Sequence, residues 1–150
     1  MRRLLSFWPF LFLILSANAH AESREKRNKN IVVGFYTKAF VDKEPRQAAE
    51  AYISESVYIQ HNPHVADGRQ AFIDFFEPYF ASHPELLPSE IKRVIADGDL
   101  VMLHVHSRRT LTDRGYAVVD IFRVDGDKIV EHWDVMQPVP ESTVSGHPVF

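Results

Sequence analysis

Residues Val119–Val135 have the sequence VDIFRVDGDKIVEHWDV and give the clearest indication of the fold. Two runs rich in β-branched and aromatic residues flank the tripeptide Asp125-Gly126-Asp127. An Asp-Gly pair between such runs is a strong hairpin signal. We therefore predict a strand over residues 116–124, a tight turn, and a second strand over residues 129–136.

Further strands are predicted on the N-terminal side of this hairpin. Residues 91–96 and 100–109 flank a second turn, Asp97-Gly98-Asp99, and together with the hairpin they make a four-strand meander. A shorter apolar segment, residues 57–61, predicts an early strand that leads into a loop. The second half of the chain is therefore expected to form most of a sheet.

The first half of the chain shows helical rather than strand periodicity. Apolar residues recur every three or four positions from Ile31 to Phe40, and the Lys43-Glu44-Pro45 segment interrupts them. Pro45 suits the first turn of a second helix, and a third helix is predicted from Arg69 to about Ser82. This order predicts an α+β fold, with a curved mixed sheet wrapped around N-terminal helices as a cone with an internal cavity.

The N-terminus has the three parts of a secretory signal. Arg2 and Arg3 are followed by an apolar run over residues 4–15 and by small residues at A-x-A spacing up to Ala21. The apolar run of about twelve residues is short for a membrane helix, which needs roughly 20. We predict a signal peptide over residues 1–21, a domain over 22–140 and a loosely held C-terminal tail over 141–150, in a secreted or periplasmic protein.

Charge and cysteine content exclude several functions. The 150 residues include 17 Lys and Arg, 20 Asp and Glu, and no Cys. Loss of Arg2 and Arg3 with the signal would leave 15 basic against 20 acidic residues, a formal net charge of −5. A mildly acidic domain is a poor match for nucleic acid, which requires clustered Lys and Arg. Thiol catalysis and cysteine metal sites are excluded.

The hairpin resembles the closing hairpin of SnoaL-like proteins in the nuclear-transport-factor-2-like superfamily. The shared pattern is D-I-F-R, a short D-G turn, K-I and E-H-W-D, and residues 58–63 with Asp67-Gly68 are similar to the family's early strand and loop. The resemblance spans about residues 29–140. It implies the cone fold and a function related to that of polyketide cyclases, isomerases and dehydratases. Cyclases of this family use an aspartate on the third strand of the meander as the acid/base, and Asp120 matches it.

The residues themselves also single out Asp120. It lies in the run AVVDIF, residues 117–122, which is apolar on both faces of a strand. A carboxylate there must be buried or line a cavity, and burial raises the pKa of a carboxyl group because its charged form loses hydration. Such a group is a useful base near neutral pH. The alternative is a structural Asp bonded to a neighbouring strand.

Histidines and aromatic residues complete the predicted site. The resemblance implies a histidine helping Asp120, and we assign catalytic roles to His61 and His106. Substrate contacts are assigned to a further set: Asn62, His104, Phe122 and Trp133. The spacing of His104 and His106 places them on one face of a strand, where such a pair could also chelate a metal. We expect no tightly bound metal, because no third ligand is fixed by the sequence.

The sequence does not decide which residues of the neighbouring strands share a face of the sheet with Asp120. A hairpin loop of two or four residues would place Asp120 with Glu131 and Trp133, whereas a three-residue loop would place it with His132 and Asp134. The turn after Arg109 leaves a similar choice between His106 and Ser107. A slip of one residue inverts each answer.

Three functions are compatible with these features. The first is a small-molecule enzyme that performs aldol condensation, cyclisation, isomerisation or dehydration on a carbonyl compound in an enclosed pocket, without a cofactor. The second is a non-catalytic periplasmic ligand-binding or accessory module with the same cavity. The third is a metal-dependent enzyme using His104 and His106. A homodimer is expected, because both faces of the strand over residues 118–124 are apolar.

The signal segment leads to a direct prediction. The exported protein should begin near Glu22, because the A-x-A spacing ends at Ala21 and a polar stretch follows. Intact-mass spectrometry of protein recovered from the periplasm or medium measures this N-terminus. Recovery of exported protein that still carries Met1 would contradict the prediction.

Overall fold

The computed structural model describes residues 24–150. The predicted signal peptide, with its cleavage site, lies outside the described residues. Within residues 24–150, no helix combines the length and the apolar character needed to cross a membrane.

Three helical segments form one layer of the fold. Helix α1 covers residues 24–36 and continues into a π-helical turn, Thr37–Val41. Helix α2 is Pro45–Tyr52, with Pro45 in its first turn as predicted, where a missing N–H costs no hydrogen bond. Helix α3 is Arg69–Ser82, which matches the range predicted from apolar spacing.

The second layer is a curved, open sheet of five strands. The short strand β1, Ile59–Gln60, precedes α3, and β2 (Glu90–Asp97), β3 (Leu100–Ser107), β4 (Tyr116–Asp125) and β5 (Lys128–Pro138) follow it. The order across the sheet is β1-β5-β4-β3-β2. Strands β2 to β5 form the predicted antiparallel meander, whereas β1 pairs with β5 in parallel and makes the sheet mixed.

One face of the sheet packs against the helices, and we call it the inner face. On β3 the buried residues alternate, as Val101, Leu103 and Val105, which is the pattern of a strand with one covered side. Phe35 of α1 lies at the centre of this layer and contacts Phe72 of α3 and Phe122 of β4 through ring–ring packing at 5.4 and 5.6 Å between centroids. Helix and sheet are thus joined through a largely aromatic core.

A β-bulge in the hairpin decides which residues of β5 reach the inner face. The turn has two residues, because Asp125 pairs with Lys128 and Val124 with Ile129, but Arg123 then pairs with Glu131. Val130 is therefore the extra residue of a bulge. A two-residue turn by itself would have placed Asp120 with Glu131 and Trp133. The bulge shifts the register by one, so that Asp120 lies opposite Asp134 and shares its face with His132.

The C-terminal tail packs on the outer face of the sheet, the face away from the helices. The ring of Phe150 lies 4.4 Å from the ring of His106 and 5.3 Å from that of His104, measured between centroids. The side-chain nitrogen of Lys92 lies 5.6 Å from the Phe150 ring centroid, within reach of a cation–π contact. The expectation of a loosely held tail is therefore wrong for this residue.

Candidate functional site

A cavity of about 270 Å³ lies between the inner face of the sheet and the helices. Most of its wall is aromatic, with phenylalanine and tyrosine side chains from α1, the π-helical turn that follows it, and α3: Phe35, Tyr36, Phe40, Phe72, Phe75, Phe76, Tyr79 and Phe80. Its polar wall comes mainly from β1, β4, β5 and the loop after β1, and includes Gln60, Asn62, Asp120, His132 and Asp134; further polar lining residues are His64, Ser89, Ser107 and Arg108. A largely apolar cavity with a few convergent polar groups is the usual form of a small-molecule site.

Asp120 is buried in this wall, with 6% of its surface exposed. Its Oδ1 lies 3.1 Å from Nε2 of His132, which is itself buried. Its other oxygen, Oδ2, is also buried and has no hydrogen-bond partner among the described residues. Asp120 thus has one oxygen held by a neighbour and one oxygen free to interact with a bound molecule.

His132 is held from its other side by Gln60. Nδ1 of His132 lies 2.8 Å from Oε1 of Gln60, and the same oxygen accepts a hydrogen bond of 3.0 Å from the backbone N–H of Asn62. The Gln60 side-chain NH₂ donates to the Tyr58 hydroxyl at 3.3 Å. Parallel pairing of Gln60 with His132 in β1 and β5 brings these side chains together.

A second carboxylate adjoins the pair. Asp134 is the direct cross-strand partner of Asp120, and its Oδ2 accepts a hydrogen bond of 2.6 Å from the side-chain amide of Asn62. Asn62 therefore anchors Asp134 through its side chain, while its backbone N–H anchors Gln60. The loop after β1 holds both neighbours of Asp120 in place.

The pKa of the Asp120 carboxyl is raised above its ordinary value. Burial is the main cause, because the charged form loses hydration, and the negative charge of Asp134 acts in the same direction. The hydrogen bond and the charge of His132 oppose this increase, and so, to a smaller extent, does the nearby hydroxyl of Tyr36. The predicted direction for Asp120 is therefore confirmed, and its predicted origin in desolvation is confirmed with it.

Two tyrosines in the cavity wall stay protonated. Burial raises the pKa of Tyr36 well above its usual value, and the negative charge of Asp120 raises it further. The pKa of Tyr58 is raised by the same two causes in the same order. Both residues line the cavity with neutral O–H groups, which can donate hydrogen bonds to a bound molecule.

The structure places some of the predicted site residues in the cavity wall and others outside it. Asp120, Asn62 and Phe122 line the cavity. Gln60, His132 and Asp134 also line the cavity, although no site role is predicted for them from the sequence. The alternation in the segment YIQHN, in which Tyr58, Gln60 and Asn62 are two residues apart, is a signal from which Gln60 could have been found.

The expectation that His61 and Trp133 face the cavity is wrong. Their rings stack on each other at 4.7 Å with an interplanar angle of 3°, and neither residue lines the cavity. Nε2 of His61 lies 2.9 Å from Oε1 of Glu131, which also accepts a hydrogen bond from Arg123 through its other oxygen. The bulge at Val130 is the reason, because it directs Glu131 and Trp133 to the outer face while His132 points inward.

His104 and His106 also lie on the outer face, so their expected contact with the cavity is wrong. Leu103 is the partner of Asp120, and strand alternation therefore directs His104 and His106 to the other side. Arg93 donates to Nδ1 of His104 at 3.0 Å, and burial together with the Arg93 charge lowers the pKa of His104. Nε2 of His106 donates to the Arg114 carbonyl at 2.8 Å.

The residues best placed to hold a metal ion are different from the predicted pair. Within residues 24–150, one group of three potential ligands has all its ligand atoms within 4.8 Å of one another: Asp120, His132 and Asp134. His104 and His106 belong to no such group in the described part of the chain. The hypothesis of a metal-dependent enzyme built on His104 and His106 therefore lacks the third ligand it requires.

Comparisons with known proteins agree with this architecture. The family model described as the SnoaL-like domain matches residues 32–132. A comparison with curated protein sequences found no match.

Three solved structures illustrate the similarity. An NTF2-like protein of unknown function from Mesorhizobium loti is 20% identical, with a TM-score of 0.61 over 76% of this chain and 93% of the other. TsrD from Streptomyces laurentii is 18% identical, with a TM-score of 0.58 over 73% and 87%. A protein proposed to be a polyketide cyclase, from Acidithiobacillus ferrooxidans, is 16% identical, with a TM-score of 0.58 over 73% and 87%. At these identities the likeness shows the fold alone.

The raised pKa of Asp120 predicts how stability depends on pH. Between the unfolded-chain value of about 3.9 and the raised value, the folded protein binds more protons at this group than the unfolded chain does. The contribution of Asp120 to the free energy of unfolding must therefore fall as the pH rises through this window. The difference in unfolding free energy, wild type minus Asp120→Asn, should decrease as the pH is raised from about pH 4.

Urea unfolding at several pH values measures this difference. Asp127→Asn, in the exposed hairpin turn, is the matched control, because it makes the same chemical change away from the cavity. A wild-type minus Asp120→Asn difference that stays flat or increases over this range would contradict the assignment.

Proposed function

The chain belongs to the SnoaL-like domain family, and on that premise we propose that it is a small-molecule enzyme that moves protons on a carbonyl compound. The reaction types proposed are aldol condensation or cyclisation, isomerisation and dehydration. All three need a base that removes a proton next to a carbonyl group, or an acid that returns one. The cavity supplies one buried acid/base group and neutral hydrogen-bond donors, and this chemistry needs no cofactor.

The observation that carries the proposal is the free oxygen of Asp120. Oδ1 is hydrogen-bonded to His132, whereas Oδ2 is buried in the cavity wall and has no hydrogen-bond partner within residues 24–150. A buried polar atom without a partner costs free energy, so its presence in a cavity supports a role toward a ligand. In the proposed reaction, Oδ2 of ionised Asp120 accepts the proton from the substrate carbon, and the electron pair of the broken C–H bond moves toward the carbonyl oxygen.

The charge that develops on the substrate oxygen needs a donor. His61 and His106, to which the sequence analysis assigns catalytic roles, cannot provide this donor, because both lie on the outer face. The neutral hydroxyls of Tyr36 and Tyr58 line the same cavity and remain protonated, which suits them to donate to a developing oxyanion. The proton on Oδ2 is then available for return to the product at a different atom, which completes an isomerisation or an elimination.

The aromatic wall supports an apolar substrate body. Side chains of α1 and α3 enclose the cavity opposite the polar wall, and they exclude water from the reacting carbon. Low water content also strengthens the interactions of Asp120 with its neighbours. A compound with a carbonyl group at one end and an apolar ring or chain at the other matches this division of the cavity.

Export and self-association are also part of the proposal. The signal-like N-terminus supports a secreted or periplasmic location. The outer face carries an apolar row of cross-strand partners, Ile95, Met102, Ile121 and Trp133. Ile95 is 53% exposed and Val135, in the next row, is 67% exposed, and a second copy of this chain packed on this face would cover them.

The dimer proposal predicts a mass in solution. Wild-type protein at high micromolar concentration should have twice the chain mass by light scattering, and Val135→Glu should reduce it to the monomer mass, because a buried unpaired carboxylate is costly. Val144→Glu, at a fully exposed position of the tail, is the matched control and should leave the mass unchanged. A monomeric wild type under these conditions would exclude this dimer.

The acid/base proposal predicts the effect of Asp120→Asn on proton exchange. Wild-type protein in D₂O should accelerate exchange of the protons next to the carbonyl group in members of a panel of cyclic and aryl ketones, followed by NMR. Asp120→Asn keeps the shape of the side chain and removes the acid/base, so the rate should fall by about 100-fold or more. Asp127→Asn should exchange at the wild-type rate.

Ligand binding separates the alternatives. A non-catalytic binding module would bind members of the panel without accelerating exchange, in wild type and variant alike. A purely structural role for Asp120 would show instead as a loss of folding in Asp120→Asn, since removing one partner of a buried pair typically costs about 3–5 kcal/mol. Wild-type exchange rates in a folded Asp120→Asn protein would remove Asp120 from the mechanism.

A further inference from the structure

The ring of His132 contacts a second polar side chain, Gln60, in addition to Asp120. Gln60 touches Nδ1 of His132 with its carbonyl oxygen, while Nε2 of the same ring touches Asp120. We infer that Gln60 is a positioning residue that holds a proton on Nδ1 of His132, so that Nε2 faces Asp120 as the nitrogen that shares the bridging proton of the pair. The catalytic meaning of this inference rests on the proposed function, but the position of the proton does not.

The orientation of the Gln60 side-chain amide is fixed by its neighbours. Its Oε1 accepts from the backbone N–H of Asn62 at 3.0 Å, and a backbone N–H can only donate. Rotation of the amide by 180° would turn the NH₂ group toward this N–H and place two donors against each other. The atom that faces Nδ1 of His132 is therefore an oxygen, and its contact of 2.8 Å requires a hydrogen on Nδ1.

The proton count of the Asp120–His132 pair follows from this. With Nδ1 protonated, a neutral His132 presents a lone pair on Nε2, and the contact of 3.1 Å with Oδ1 then requires a protonated Asp120. An ionised Asp120 requires instead a proton on Nε2, which makes the ring a cation. Either way one proton lies between the two residues, and the pair as a whole is neutral.

The single proton shared by Asp120 and His132 explains how Asp120 can be ionised in an apolar wall. The base form of Asp120 always occurs beside a cationic ring, which offsets part of the cost of a buried charge. Among the titratable neighbours of the pair, Asp134, Tyr36 and Tyr58 supply no second positive charge, because Asp134 is a carboxylate and the two tyrosines are neutral hydroxyls. Without an acceptor at Nδ1, His132 could bond to Asp120 as a neutral ring with its proton on Nε2, and the cation would be lost.

Two-bond ¹H–¹⁵N NMR of histidine-labelled protein tests the inference without a substrate. The resonances of His132 are assigned by their absence from His132→Asn, and the spectra are recorded at a pH at which the Asp120–His132 pair keeps its shared proton. The wild type should then carry a proton on Nδ1. Gln60→Leu, which removes the acceptor, should lose the Nδ1–H form in favour of the Nε2–H form, and Gln60→Glu, which restores an acceptor, should recover Nδ1–H.

Gln137→Leu is the matched control, because Gln137 is exposed on the same strand as His132 and pairs across the outer face with Ala117. It should keep the wild-type proton position. A neutral wild-type His132 that carries its proton on Nε2 would overturn the inference, as would an unchanged Nδ1–H form in folded Gln60→Leu. If Gln60→Leu does not fold, the wild-type spectrum and the Gln60→Glu spectrum decide the question.

Activity then separates this inference from the proposed function. If the proposal of acid/base catalysis is also correct, the pH profile of ketone proton exchange should shift in Gln60→Leu and return toward the wild-type profile in Gln60→Glu, which a purely structural role would not produce. An Nδ1–H ring in a wild-type protein that exchanges no substrate proton would overturn the proposed function and leave the role of Gln60 in place.

Discussion

The hydrogen bond between His132 and Asp120 is the interaction on which the polar half of the cavity depends. A carboxylate on the inner face of a sheet, between Val118 and Phe122, loses its hydration and must obtain a partner from the protein. His132 provides this partner at 3.1 Å, and Gln60 and Asn62 then hold His132 and Asp134 in turn. Each contact fixes the next, so that the loop after β1, the edge strand and the hairpin form one connected network.

The inner and outer faces of the sheet carry side chains with different roles. The inner face carries the core and the acid/base group, while the outer face carries His61, Trp133, His104 and His106 in contacts with Glu131, Arg93, Arg114 and Phe150. Because alternate residues of a strand point to opposite sides, two residues that are adjacent in sequence, such as His132 and Trp133, belong to different environments. His132 therefore lies on the inner face of the sheet, while His104 and His106 lie on its outer face.

The aromatic half of the cavity complements the polar half. Helices α1 and α3 supply rings that pack on one another and on Phe122, so the wall that encloses an apolar ligand is continuous with the hydrophobic core. This continuity keeps water away from Asp120 and raises its pKa. The comparisons place the chain in the SnoaL-like domain family and show its fold, and the chemistry proposed for it rests on the geometry of this chain's own residues.

Local sequence determined the elements and one of the central residues. The range of α3, the start of α2 at Pro45 and the strands of the meander follow from periodicity and turn residues, which are properties of neighbouring positions. Asp120 could be identified because a charged residue within an apolar strand is unusual wherever that strand lies. The tertiary structure alone decided the partners of Asp120. The bulge at Val130 shifts the register by one residue, which turns His132 and Asp134 toward the cavity and Trp133 away from it. Pairing of Gln60 with His132 joins residues 72 positions apart, and no local pattern contains that contact.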